Sequence, residues 1–124
     1  MNSISHIPKA EIHVHLEATI TPSLCRKFAK RNKVTLSDDF FGSEYAYQWE
    51  DFYDFLKKYD IVTSVIHTPE DYYELTYAYL KECASHNVLY VEAMVSSTHA
   101  KAKGMTYQSF LDSIQEASLN AERD

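Results

Sequence analysis

The sequence predicts an α/β chain with the element order strand, three helices, strand, helix. Three observations carry that reading. Residues 11–17, Glu-Ile-His-Val-His-Leu-Glu, alternate polar and apolar, the period-2 signature of a half-buried strand. Residues 88–95, Val-Leu-Tyr-Val-Glu-Ala-Met-Val, are apolar nearly throughout, as in a strand covered on both faces. Between them apolar residues recur at helical spacing, and a strand–helix–strand crossover is right-handed with parallel strands.

In the first strand the alternation predicts Ile12, Val14 and Leu16 on a buried face, with Glu11, His13, His15 and Glu17 on the other. Thr21-Pro22 then reads as a helix start, a hydroxyl N-cap followed by Pro at the first helical position. Leu24, Phe28 and Ala29 mark that helix's buried side, and Asn32-Lys33 ends it. Residues 34–47 show no sustained period and read as an irregular excursion.

From Trp49 to about Ile66 the helical period returns in Phe52, Phe55, Leu56, Tyr59 and Val62. Thr68-Pro69-Glu70-Asp71 repeats the start signal, with acids in the first turn. Tyr72, Leu75, Thr76, Tyr79, Leu80 and Cys83 form the next stripe, and Asn87 closes it. Glu92 is the odd member of the second strand; inside an apolar run it must be paired or reach the barrel mouth, and a structural ion pair rather than a catalytic role is the expectation. Ser96 to His99 read as the loop at that strand's C-terminal end, with His99 an exposed loop residue rather than a ligand. Thr106 caps a last helix lined by Tyr107, Phe110, Leu111, Ile114 and Ala117.

A chain of 124 residues, 45% hydrophobic and 24% charged, suits one globular core. A net charge of −6 without a basic run argues against a nucleic-acid backbone as partner. No stretch approaches membrane-spanning length, and residues 1–7 lack the basic and apolar regions of a signal peptide. Cys25 and Cys83 fall in helical patterns without metal spacing, and the expectation is reduced thiols in a cytoplasmic protein. Only Gly42 and Gly104 occur, which excludes a Gly-rich phosphate loop.

The chemistry is concentrated in residues 8–17. Two imidazoles two residues apart on one strand face are within reach of a single ion with bonds of about 2.0–2.1 Å. The same spacing on a solvated face is also common surface decoration. Two features favour the metal: the pair ends an apolar strand, where α/β folds build their sites, and Glu17 follows as an accessory carboxylate.

Pro8-Lys9-Ala10-Glu11-Ile12-His13-Val14-His15-Leu16-Glu17 resembles the N-terminal signature of the adenosine deaminase family, within the metal-dependent amidohydrolases, roughly P-K-x-E-L-H-x-H-L-[DE]-G. Looser similarity continues through Trp49-Glu50-Asp51-Phe52, Thr68-Pro69-Glu70-Asp71-Tyr72 and Tyr90-Val91-Glu92. The chain departs from the pattern at Ala18, where the family has Gly, and at Ser97, where it more often has Pro. The resemblance implies a (β/α)₈ barrel of TIM type, a fold of about 200–250 residues or more, so residues 1–124 are expected to form its opening third, with a helical insertion between the first two strands.

It also implies zinc held by His13 and His15 together with a His and an Asp from later strands. His15 would also lie near the substrate, Glu17 would bind the sugar hydroxyl of a nucleoside, and Phe52, Phe55 and Leu56 would belong to an apolar lid over the purine. The proton-shuttling Glu is expected beyond these residues, so no catalytic residue is assigned within the chain. The implied reaction of the complete protein is hydrolytic deamination of adenosine to inosine and ammonia, in purine salvage. The sister adenine deaminases share the signature and often carry Glu at the position of Glu17. A metal-dependent phosphoesterase with an N-terminal H-x-H, or a non-catalytic fragment, are the readings of other classes. The 124 residues alone are expected to be inactive, and to need the remaining segment or another copy to complete the fold.

Overall fold

The structure, a computed structural model, describes residues 3–124. In chain order its strands and helices are β1 (Lys9–His15), α1 (Pro22–Arg31), β2 (Phe41–Ser43), β3 (Ala46–Tyr47), α2 (Phe52–Thr63), α3 (Pro69–Ser85), β4 (Val88–Met94), α4 (Ser97–Ala102) and α5 (Tyr107–Arg123). Short 3-10 turns occupy Ser3–His6, Leu16–Thr19 and Asp38–Phe40. The chain divides into two compact units, one formed by the segment ending at Thr19 with Thr68–Asp124, the other by Ile20–His67.

In the first unit β1 and β4 pair in parallel, as the crossover rule requires. Helix α3 begins with a reciprocal capping box: Asp71 N donates to Thr68 Oγ1 and Thr68 N donates to Asp71 Oδ2, both at 3.1 Å. It ends through Asn87, whose φ of +57° is the left-handed closure that Asn tolerates. Its buried residues Tyr72, Leu75, Thr76 and Cys83 belong to the core with Leu16, Phe110 and Ala117. The rings of Tyr72 and Phe110 lie 5.4 Å apart between α3 and α5. Thr106 caps α5 by accepting from Ser109 N at 3.1 Å.

The second unit is built on α1 and α2. Thr21 caps α1 by accepting from Leu24 N at 3.2 Å, ahead of Pro22, and Lys33 leaves the helix at φ +59°. Asp51 caps α2 by accepting from Asp54 N at 2.8 Å. Ile20, Cys25, Phe28, Phe40, Val62, Val65 and Ile66 are buried here. The excursion at 34–47 is more ordered than its lack of period suggested: β2 and β3 form a small antiparallel hairpin. Arg26 holds that hairpin, stacking 4.0 Å above the Phe41 ring while Nη1 donates to Glu44 O at 2.9 Å. A periodicity argument cannot see a hairpin whose strands are three and two residues long.

Two expectations for the parallel sheet fail. The run 88–95 is not covered on both faces: Leu89 is 72% exposed, and Tyr90, Ala93 and Met94 are exposed with it. Among the described residues Glu92 has no ion-pair partner; it is exposed and accepts from the Tyr90 hydroxyl at 2.7 Å, two residues back on the same face. Among the described residues, no helix is long and apolar enough to cross a membrane.

Candidate metal centre

The strict alternation of β1 is interrupted where it matters. Glu11 pairs with Val91 and Val14 with Ala93, so Ile12 and His13 together oppose Glu92 alone. This is a β-bulge, and within it His13 takes a left-handed φ of +57°. A compensating irregularity sets Leu89 between the partners of Lys9 and Ala10, and the register closes again with His15 opposite Met94. The bulge is why Ile12, expected on the buried face, is 68% exposed.

The bulge does not separate the two imidazoles. The ring centres of His13 and His15 lie 5.4 Å apart, tilted by 50°, and both residues are exposed. Metal–nitrogen bonds of about 2.0–2.1 Å to one nitrogen of each ring would set the two centres roughly 5–5.5 Å apart at near-tetrahedral angles, so the spacing of the pair matches that of two imidazoles on one zinc ion. Among the described residues no group of three or more His, Cys, Asp or Glu is arranged to hold a metal. The chain therefore offers half of a four-coordinate set.

Glu17 does not share the strand face with the pair. The chain leaves the sheet after His15 into the turn Leu16–Thr19, closed by the Thr19 hydroxyl donating to Leu16 O at 2.7 Å. This rotates Glu17 inward, to 1% exposure. Its Oε1 accepts from the Tyr72 hydroxyl at 3.0 Å and from Ser96 N at 2.7 Å. A carboxylate so deeply buried is tolerable because it is hydrogen-bonded. Ala18, where the resemblance places Gly, is not among the residues with positive φ, so its Cβ imposes no strain on this turn.

Ser96 is the N-cap residue between β4 and α4. Its Oγ caps α4 by accepting from His99 N at 3.3 Å and lies 2.7 Å from His99 Nδ1. Within the expected loop from Ser96 to His99, residues 97–99 are already helical, as the first half of α4, and His99 is part-buried rather than exposed. Phe52, Phe55 and Leu56 lie on α2 in the other unit. Phe52 and Leu56 are exposed, and the Phe52 and Phe55 rings stack with centres 6.4 Å apart.

Sequence reasoning gave Lys9 no role of its own, and it placed Tyr72 in a helix stripe and Ser96 in a loop without joining either to Glu17. Lys9 Nζ donates to Ile4 O at 2.7 Å, Ile7 O at 2.9 Å and His86 O at 2.7 Å, which uses all three ammonium donors to tie the start of β1 to the end of α3. Its place two residues before Glu11 in the signature was the signal for a role; the partners, up to 77 residues away, were not readable.

The adenosine deaminase family model matches residues 8–124. The chain belongs to the adenosine deaminase family. It is 36% identical over 122 residues to an adenine deaminase of Bordetella avium, covering 98% of this chain and 39% of that relative. It is 40% identical over 111 residues to an adenine deaminase of Rhizobium leguminosarum bv. trifolii, covering 90% and 34%. The chain thus spans little more than a third of the length of these family members.

Among solved structures, an adenine deaminase from Arthrobacter aurescens matches with a TM-score of 0.76 at 26% identity, over 94% of this chain and 36% of that one. An amidohydrolase from Burkhoderia ambifaria, crystallised with bound Zn, shares the fold with a TM-score of 0.77 at 20% identity, over 98% and 34%. The α/β arrangement with a parallel β1–β4 pair is that of the opening part of these TIM-barrel amidohydrolases, as expected from the signature.

Proposed function

We propose that the complete protein is a zinc-dependent adenine deaminase, in which His13 and His15 supply two of the metal ligands. The observation that carries this reading is the pair of imidazoles 5.4 Å apart at the end of β1, in a chain that belongs to a purine deaminase family. The imidazole pair suits zinc in ligand type. When bound, zinc would supply Lewis-acid activation of water near neutral pH, the requirement for replacing an exocyclic amine by oxygen. The residues of this chain hold the ion and shape the mouth around it; the other ligands and the proton-transferring groups are assigned to the remainder of the protein.

Adenine is preferred over adenosine, the substrate first expected from the signature, because the relatives at 36% and 40% identity are adenine deaminases. Glu17 agrees with that preference: its longer carboxylate is turned inward onto Tyr72 and Ser96 rather than standing on the strand face where a sugar hydroxyl was expected. The test is ammonia release by the full-length protein from adenine and adenosine side by side. A higher kcat/KM for adenine is expected; a higher value for adenosine would return the reading to a nucleoside deaminase.

A further inference from the structure

Glu17 binds together three segments that are distant in sequence. The carboxylate comes from the turn that follows β1, the Tyr72 hydroxyl from the first turns of α3, and the Ser96 N–H from the junction of β4 and α4. Both donors meet the same oxygen, Oε1, at 3.0 and 2.7 Å. Glu17 and Tyr72 are each 1% exposed, and Tyr72 is fixed by its ring contact with Phe110. Water is thus excluded from the anchor, and an anchored carboxylate in such surroundings has little freedom to move away from its donors.

The anchor acts on the metal pair through the backbone. His15 is the last residue of β1, paired opposite Met94; two residues further along each strand the chains are tied again by the Glu17–Ser96 bond. Two residues before His15, His13 sits in the left-handed region, a conformation that a non-glycine residue keeps only where its surroundings over-determine it. A strained bulge on one side and a buried carboxylate on the other therefore bracket His15.

Resting on the reading of His13 and His15 as zinc ligands, we propose that Glu17 is a positioning residue: through Oε1 it locks the turn after β1 onto the turn after β4 and so holds the His pair at ligand spacing. This requires an acceptor oxygen at that point, not a negative charge. Glu17→Gln retains such an oxygen, whereas Glu17→Ala removes it. Tyr72→Phe removes one donor while keeping the ring and its packing on Phe110.

The experiment is a zinc-affinity measurement on the full-length protein, by competition with a chromophoric chelator, for Glu17→Gln, Glu17→Ala and Tyr72→Phe. Glu17→Gln should bind zinc within about threefold of the parent, while Glu17→Ala and Tyr72→Phe weaken it by about tenfold or more, the range typical of groups that orient ligands. The reverse pattern, with Glu17→Gln as damaging as Glu17→Ala and Tyr72→Phe silent, would overturn the proposal by showing that the charge itself is what matters. Zinc binding that survives both His13→Ala and His15→Ala would instead remove the ligand reading on which it rests.

Discussion

His13 and His15 bring their ring centres to 5.4 Å although the backbone between Glu11 and Val14 is bulged and His13 lies at φ +57°. The strain at His13 is testable separately from its chemistry. Glycine adopts the left-handed region without penalty, whereas a residue with a Cβ loses about 1 kcal/mol there. In the full-length protein His13→Gly should therefore be more stable than His13→Ala by about 1 kcal/mol, read as a higher urea midpoint at unchanged slope. Equal midpoints, or a more stable alanine variant, would mean that this position is ordinary extended strand.

That bulge also marks the limit of what the sequence disclosed. The caps were legible, because Thr21, Thr68 and Thr106 act through neighbours three residues away. Helix ends at Lys33 and Asn87 were legible for the same local reason. The His pair was legible from its spacing, and the parallel pairing from the crossover rule. The alternation assigned Ile12 and Glu17 to the wrong faces, since period-2 reasoning holds only while the strand is regular. The bulge inverts Ile12, and the turn at Leu16 rotates Glu17 inward. The Lys9–His86, Glu17–Tyr72 and Glu17–Ser96 bonds span 55 to 79 residues, and no local pattern encodes them.

The unit formed by Ile20–His67 should lose stability in alkaline solution. Burial pushes the Cys25 thiol up to about 11, against smaller opposing effects of a hydrogen bond with Tyr47 and the charge of Arg26. Burial, then Cys25, pushes the Tyr47 hydroxyl up as well. The fold favours the neutral form of both groups. Their stabilisation is complete below the unfolded thiol value of about 8.5 and is lost as pH rises through the folded value. Urea midpoints of the full-length protein should fall between about pH 9 and 11, with a smaller fall in Cys25→Ala. An identical fall in the two proteins would show that this thiol is not the titrating group.

The 124-residue chain on its own should not deaminate adenine or adenosine. It offers two ligands, and among its described residues no group of three or more candidate ligands lies together. An ion held by two imidazoles lacks the constrained coordination that tunes its water. Purified chain loaded with zinc is assayed for ammonia release. Turnover that depends on zinc and disappears in His15→Ala would contradict this expectation and imply a site completed between copies.

The central claim is that the end of β1 is a metal-binding element, and bound zinc is its most direct readout. Zinc per chain should be measured by elemental analysis in the full-length protein and in its His13→Ala and His15→Ala variants, after identical dialysis. About one zinc ion is expected in the parent, held with two imidazoles of a four-coordinate set, and its loss is expected in both variants with the fold retained. Full zinc occupancy in both variants would contradict the account.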